Sequence, residues 1–353
     1  MTTTTTPIRP SGRHVLRAGA FSGTFSVRTA AVVLISLAAA FAVAVVAIGR
    51  GSFPISPTEV VDVLAGGGTP AQRLIVLDLR LPRVLGALLV GAALAVAGAL
   101  TQTFARNPLA SPDVLGVTNG ASLGAVAVIV LGGSAATGVP LAALAGGLTA
   151  AALVYFLAWR RGIDGFRLVL IGIAVGELLT AGVQWFLVRA EIVDATRATI
   201  WLNGSLAGVD WAQINPLAAG LAVLLPLAVA TAFTMQAMQF DEDLARGLGV
   251  RLQLARLAVV LTAVGLAAAA VTAAGPIEFV ALAVPQIALR LCGGSRPPLL
   301  ASASLGALLV AAADLLARVV LPGREMPVGL VTAMLGSPYL IWLLISTNRR
   351  TTA

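Results

Sequence analysis

Of 353 residues, 58% are hydrophobic and only 11% charged, with a mean hydropathy of +0.97, so the apolar surface exceeds what one soluble core could bury and lipid must be the solvent. The formal charge is +8, but the basic residues are scattered between apolar runs rather than gathered on one polar face, which argues against a nucleic-acid partner. A single cysteine, Cys292, and a single histidine, His14, leave no intrachain disulfide and no thiolate or imidazole metal cluster.

Residues 1–28 open with a threonine run, carry Arg9, Arg13, Arg17 and Arg28, and are rich in Ser, Gly and Pro. That composition predicts a disordered tail. The apolar run 29–49 is longer than the roughly 7–15 residues of a signal-peptide core, so it reads as a first, uncleaved span. A bilayer core needs about 20 apolar residues per helix, and the alternating polarity of a membrane barrel is absent. Further spans are predicted at 82–104, 114–133, 138–159, 166–188, 211–235, 256–274, 277–292, 299–321 and 326–345. The chain is therefore an all-α polytopic membrane protein of about ten transmembrane helices, with a membrane domain at 29–346 and a short polar tail at 347–353. Pro82 at a helix start, and Trp159, Trp211, Tyr339 and Trp342 near span ends, are the expected start and interface signals.

All 23 basic residues are arginine. With the N-terminus inside, 15 of them fall in cytosolic segments and eight outside, so the positive-inside rule places both termini in the cytosol of a bacterial cell. Span interiors are rich in glycine, as at Gly86, Gly91 and Gly98, or Gly172, Gly176 and Gly182, which predicts close helix packing.

A transporter takes its energy from a nucleotide or from an ion gradient. A P-loop needs a lysine on the phosphates, and the chain has none, so ATP would have to be hydrolysed by a partner. Ion-coupled carriers hold carboxylates or histidines at mid-membrane; here only Glu177 is plainly mid-span, with Glu278 and Asp314 nearer span ends. A secondary carrier using Glu177 is the alternative reading. No nucleophile elbow, metal-ligand spacing or other catalytic constellation is present, so neither enzyme activity nor a cofactor is expected. Between the sixth and seventh spans, within about 240–256, Asp241, Glu242 and Asp243 precede Leu244, Arg246, Gly247, Leu248 and Gly249. Acids in a first turn and glycines at the end predict a short helix with exposed leucines, suited to a groove on another protein.

Three stretches carry a resemblance. The first is Leu79-Arg80-Leu81-Pro82-Arg83 with Gly91, Gly98 and Gln102, followed by Arg106-Asn107-Pro108-Leu109-Ala110-Ser111-Pro112. The second is Gly275-Pro276-Ile277 with Phe279, Pro285 and Arg290. The third is Gly306-Ala307, Ala313-Asp314, Arg318, then Glu325-Met326-Pro327-Val328-Gly329 and Gly336-Ser337-Pro338. Together they resemble the iron-siderophore and cobalamin permease family of ATP-binding-cassette importers (FecCD type). Gln286 stands where many members have histidine, and with Trp201-Leu202 and Gly204-Ser205 it is most similar to the ferric-enterobactin branch.

The resemblance implies a type II, cobalamin-permease-like fold, and a permease that forms the path for ferric siderophores with a second permease, two cytosolic ATPase subunits and an extracytoplasmic siderophore-binding protein. Haem or cobalamin as cargo stays open. It also implies that Arg80, Arg83 and Arg318 dock the binding protein, that Asp164, Gly165 and Phe166 form a cytosolic gate, that the span of Glu177 lines the path, and that 241–249 seats in the ATPase.

Overall fold

The structure, a computed structural model, describes residues 14–18, 21–51, 53–133, 137–159, 165–237, 251–294, 297–320 and 325–351. Ten apolar helices occupy the predicted positions: α1 (Val27–Gly49), α4 (Leu81–Ala105), α5 (Val117–Val130), α6 (Gly138–Ala158), α7 (Gly165–Arg189), α9 (Trp211–Ala237), α10 (Leu252–Ala274), α11 (Val280–Cys292), α12 (Leu299–Val319) and α13 (Val328–Thr351). Among the described residues seven apolar helical stretches are long enough to cross a membrane, while Val117–Val130, Val280–Cys292 and Val328–Leu343 are shorter apolar helices. Between them lie α2 (Pro57–Leu64), α3 (Pro70–Arg73) and α8 (Ile192–Leu202). Within the segment read as a tail, β1 (His14–Ala18) and β2 (Phe21–Phe25) pair antiparallel, His14 opposite Phe25.

α4 is the centre of the bundle. Its membrane-length stretch is 78% buried, against 28% for α1 and α7, and it packs on α9, α10, α11 and α12. Small residues make this possible, because helices surrounded by lipid tails associate through close backbone packing rather than hydrophobic exclusion. Gly91 of α4 meets Gly306 of α12, and a Cβ on either would overlap the other's carbonyl oxygen. Gly98 receives the Ala281 carbonyl of α11 in the same way. A second unit forms around α5, where Gly120 and Gly146 seat α6 and Gly172 of α7 abuts the Val114 carbonyl.

The second span begins earlier than position 82. The helix runs unbroken from Pro70, through a π-helical stretch at Leu74–Arg80, into α4. π-Helical winding pairs each carbonyl with the amide five residues on, as Val76 is paired with Leu81. The next such amide is that of Pro82, which has no N–H, and the carbonyl of Leu77 instead accepts from Trp211 Nε1 of α9 at 3.0 Å.

The eighth span starts later than position 277. α10 ends at Gly275, whose φ of +70° is one that L side chains rarely adopt, and residues 275–279 run on without helix until Phe279 caps α11. Ser205 N–H donates to Ala274 O at 2.8 Å and Gly329 N–H to Gly204 O at 3.1 Å, so the ends of α8, α10 and α13 are tied at one place.

Gly306→Val should cost at least about 1–3 kcal/mol, because the new side chain has to displace backbone. Gly220→Val, whose Cβ meets nothing within 4 Å, should cost less than about 0.5 kcal/mol. Thermal melting of both variants in the same detergent is the measurement, and equal melting points would refute the glycine seat.

Candidate functional site

At the end of the bundle where α1 and α12 finish and α4 begins, four charged side chains meet. Arg83 binds Asp314 through Nε and Nη2, both at 3.0 Å from Oδ1. Its Nη1 donates to Glu325 Oε2 at 2.9 Å. Arg318, one turn beyond Asp314 on α12, forms an ion pair with Oδ2 at 2.9 Å. Asp314 is thus shared by two guanidinium groups, with its side chain only 2% exposed, whereas Glu325 is 53% exposed. The buried aspartate is thus compensated by Arg83 and Arg318 together.

Arg80 and Arg318 also serve α1. That helix has no basic residue in its last turn, and the final carbonyls of a helix carry partial negative charge without intrahelical donors. Arg80 donates to Ile48 O at 2.7 Å and Phe53 O at 2.6 Å, and Arg318 to Ala47 O at 3.1 Å. All three arginines singled out in the sequence are therefore brought together, and their guanidinium groups have partners inside the chain. The exposed member of the network is Glu325.

Near the other end of α4 a second polar contact joins two of the sequence motifs. Gln286 Nε2 of α11 donates to Gln102 Oε1 at 2.7 Å, and Gln102 Nε2 donates to Leu282 O at 2.9 Å. Both side chains are buried. In the last turn of α11, Arg290 lies over the Trp342 ring at 4.5 Å, where Arg28 of α1 donates to the Leu291 and Arg290 carbonyls.

Glu177 sits at the midpoint of α7, exposed, with the exposed Ala181 and Gln184 continuing its stripe at helical spacing. The opposite side of α7 is held by Asn119, whose Nδ2 donates to Gly176 O at 2.9 Å. Gly165 and Phe166 open the same helix, Phe166 being 79% exposed. Asp164 lies outside the described residues, as does the whole stretch from Asp241 through Glu242, Asp243, Leu244, Arg246, Gly247 and Leu248 to Gly249. Among the described residues no group of three or more His, Cys, Asp or Glu could hold a metal.

Sequence reasoning placed Asp314 in a motif without seeing its role. The signal was present, since Asp314 and Arg318 are four apart on a helix, the spacing of an ion pair. The Gln102–Gln286 pair had no such signal, because its members are 184 residues apart.

The model of the FecCD transport family matches residues 35–346. The ferric enterobactin permease FepG of Escherichia coli K12 is 43% identical over 300 residues, covering 85% of this chain and 91% of that protein. The vitamin B12 import permease BtuC of Shigella sonnei is 39% identical, covering 80% and 86%. Among solved structures, an inward-facing metal-chelate type ABC transporter superposes with a TM-score of 0.80 at 27% identity, over 90% of this chain and 99% of that one.

Asp314→Asn would leave two buried guanidinium groups facing a neutral amide and should destabilise the protein by about 3–5 kcal/mol. Glu325→Gln removes a half-exposed partner and should cost no more than about 1 kcal/mol. Chemical or thermal unfolding of the two variants checks the ordering, and a larger loss for Glu325→Gln would show that Asp314 is not the centre of the network.

Proposed function

The chain belongs to the FecCD transport family, and from that premise we propose that it carries ferric siderophores of the catecholate, enterobactin type across the bacterial inner membrane. It is a permease subunit and not an enzyme, and family members work with separate ATPase subunits and a substrate-binding protein. The observation that carries the proposal is the similarity to FepG, 43% identity over 91% of that protein's length.

Two copies of a permease fold, this chain and a second permease of the same or different sequence, would enclose the path. Glu177 supports that arrangement. A carboxylate exposed at the middle of a spanning helix costs about 2.5–3.5 kcal/mol against lipid, and an aqueous path beside α7 removes that cost. Ferric siderophores are often anionic, and a carboxylate on the wall keeps such a cargo from adhering. Phe166 and Gly165, at the start of α7, would close the cytosolic mouth together with Asp164. With both termini in the cytosol, the Arg83–Asp314–Glu325 network faces outward, where Arg80, Arg83 and Arg318 form the rigid floor on which the binding protein docks. The segment 241–249 would seat in the ATPase and pass on its closure.

Uptake of radiolabelled iron on a panel of siderophores, in a deletion strain and its complement, tests the cargo. Catecholate-bound iron should depend on the gene; dependence of cobalamin or haem uptake alone would overturn the assignment, and BtuC shows that a relative 39% identical serves vitamin B12. Leu248→Asp should leave the protein inserted yet abolish ATPase co-purification and stimulated hydrolysis in proteoliposomes. Normal stimulation would place the ATPase contact elsewhere. Glu177→Gln should leave uptake insensitive to a proton gradient, as it is in the parent; loss of a gradient dependence present in the parent would favour an ion-coupled carrier.

A further inference from the structure

α11 contains a proline at position 285. In an α-helix the N–H of residue 285 would donate to the carbonyl of Ala281, and proline has none to give. Ala281 is buried in the bundle, where a carbonyl without a donor costs free energy that water cannot recover. Two features of α4 meet this point. Gly98 has no side chain in the way of the Ala281 carbonyl. One turn further, Gln102 Nε2 lies 3.5 Å from Ala281 O and donates at 2.9 Å to Leu282 O, while its Oε1 accepts from Gln286 at 2.7 Å. The carboxamide of one helix therefore bonds the turn that Pro285 interrupts, mainly at Leu282 O with a longer contact to Ala281 O, and its own remaining acceptor is satisfied by the residue after the proline.

What this fixes is the segment 275–279. Residues 274–277 and 280 are buried, and Glu278 between them is exposed. An exposed carboxylate beside the glycine-packed centre of the bundle does not face lipid for the reason given for Glu177. We infer that Gln102 is a positioning residue of the transport path: by completing the hydrogen bonds of the Pro285 break it docks α11 on α4, and so sets where loop 275–279 presents Glu278 to the cargo. The inference rests on the transport reading above.

The test uses the assembled transporter with a Cys292→Ala background, since Cys292 is the chain's lone cysteine and is buried. Two readouts are taken: iron-siderophore uptake, and the rate at which a membrane-impermeant thiol reagent modifies a cysteine introduced by Glu278→Cys. Uptake is measured with Glu278 intact. Gln102→Met keeps the volume but loses the donor, which should reduce the docked population of α11, and with it uptake, roughly tenfold, with a similar change in the modification rate. Pro285→Ala returns the missing N–H to α11, so adding it to Gln102→Met should restore both readouts to within about twofold of the parent. Gln286→His keeps a donor toward Gln102 and should stay near the parent, while Gln286→Met should not. The inference is overturned if Gln102→Met behaves as the parent, or if Pro285→Ala fails to rescue it, which would mean that Gln102 acts through packing alone. Should Gln102→Met fail to accumulate, the pair at position 286 decides by the same criterion. If the parent shows no siderophore uptake, the transport reading fails, and the modification rates still report whether Gln102 places the loop.

Discussion

Every backbone carbonyl inside a bilayer needs a donor from protein, because no water is there to supply one. That constraint organises this bundle. At several of the places where a helix ends or breaks within it, a side chain from another helix completes the hydrogen bond. Arg80 and Arg318 do so for the last turn of α1, and Arg28 for the last turn of α11. Trp211 serves Leu77, whose π-helical partner would be Pro82, and Gln102 serves the break at Pro285. At Pro82 and at Pro285 one side chain from a neighbouring helix thus donates to the interrupted turn. The helix breaks are not weak points of the fold but the places where helices are most specifically joined.

The same view explains the charged cluster. Arginines on short paths to helix ends are useful there because a guanidinium offers several donors in a fixed plane. Once brought into the bundle, two of them require a carboxylate, and Asp314 meets both at about the distance of a strong charge-assisted bond. Burial of an ion pair gives little net stability against an apolar alternative, but it fixes which helices are neighbours and in what register. Arg83, Asp314 and Glu325 connect α4, α12 and the approach to α13 in one such register.

Much of this was legible in the sequence. The ten apolar runs gave the ten helices because lipid demands continuous apolar surface, and span glycines gave the close crossings. Two boundaries were not legible. Ile277 and Phe279 are as apolar as the helix that follows them, so hydropathy alone could not show that 275–279 lies outside it; the positive φ at Gly275 and Phe279 does. The short helices between α1 and α4 left a readable signature that hydropathy passes over, namely Ser56 with Glu59 and Thr69 with Gln72, two capping boxes each with proline at the helix start. Hydrogen bonds between distant positions, such as Gln102 with Gln286, are tertiary facts with no local signal. Arg80, Arg83 and Arg318 were marked by their motifs, but a sequence shows a charge and not its direction, and only the structure turns them inward.

The two kinds of contact also divide the bundle mechanically. α4 is joined to α9, α11 and α12 through traded carbonyl donors, an ion pair and reciprocal glycines, and separating these elements would orphan polar groups in a low-dielectric interior. α5, α6 and α7 form their own unit through Gly120, Gly146, Gly172 and Asn119. Between the two units α10 meets α5 and α6 through small apolar side chains, Ala121, Ala125 and Ala143 against Val271. Sliding along such a surface exchanges one set of apolar contacts for another, whereas sliding along α4 would break directional bonds. A rigid-body displacement therefore costs least at the α10 face, which is the boundary between the anchored helices and the unit that carries Glu177.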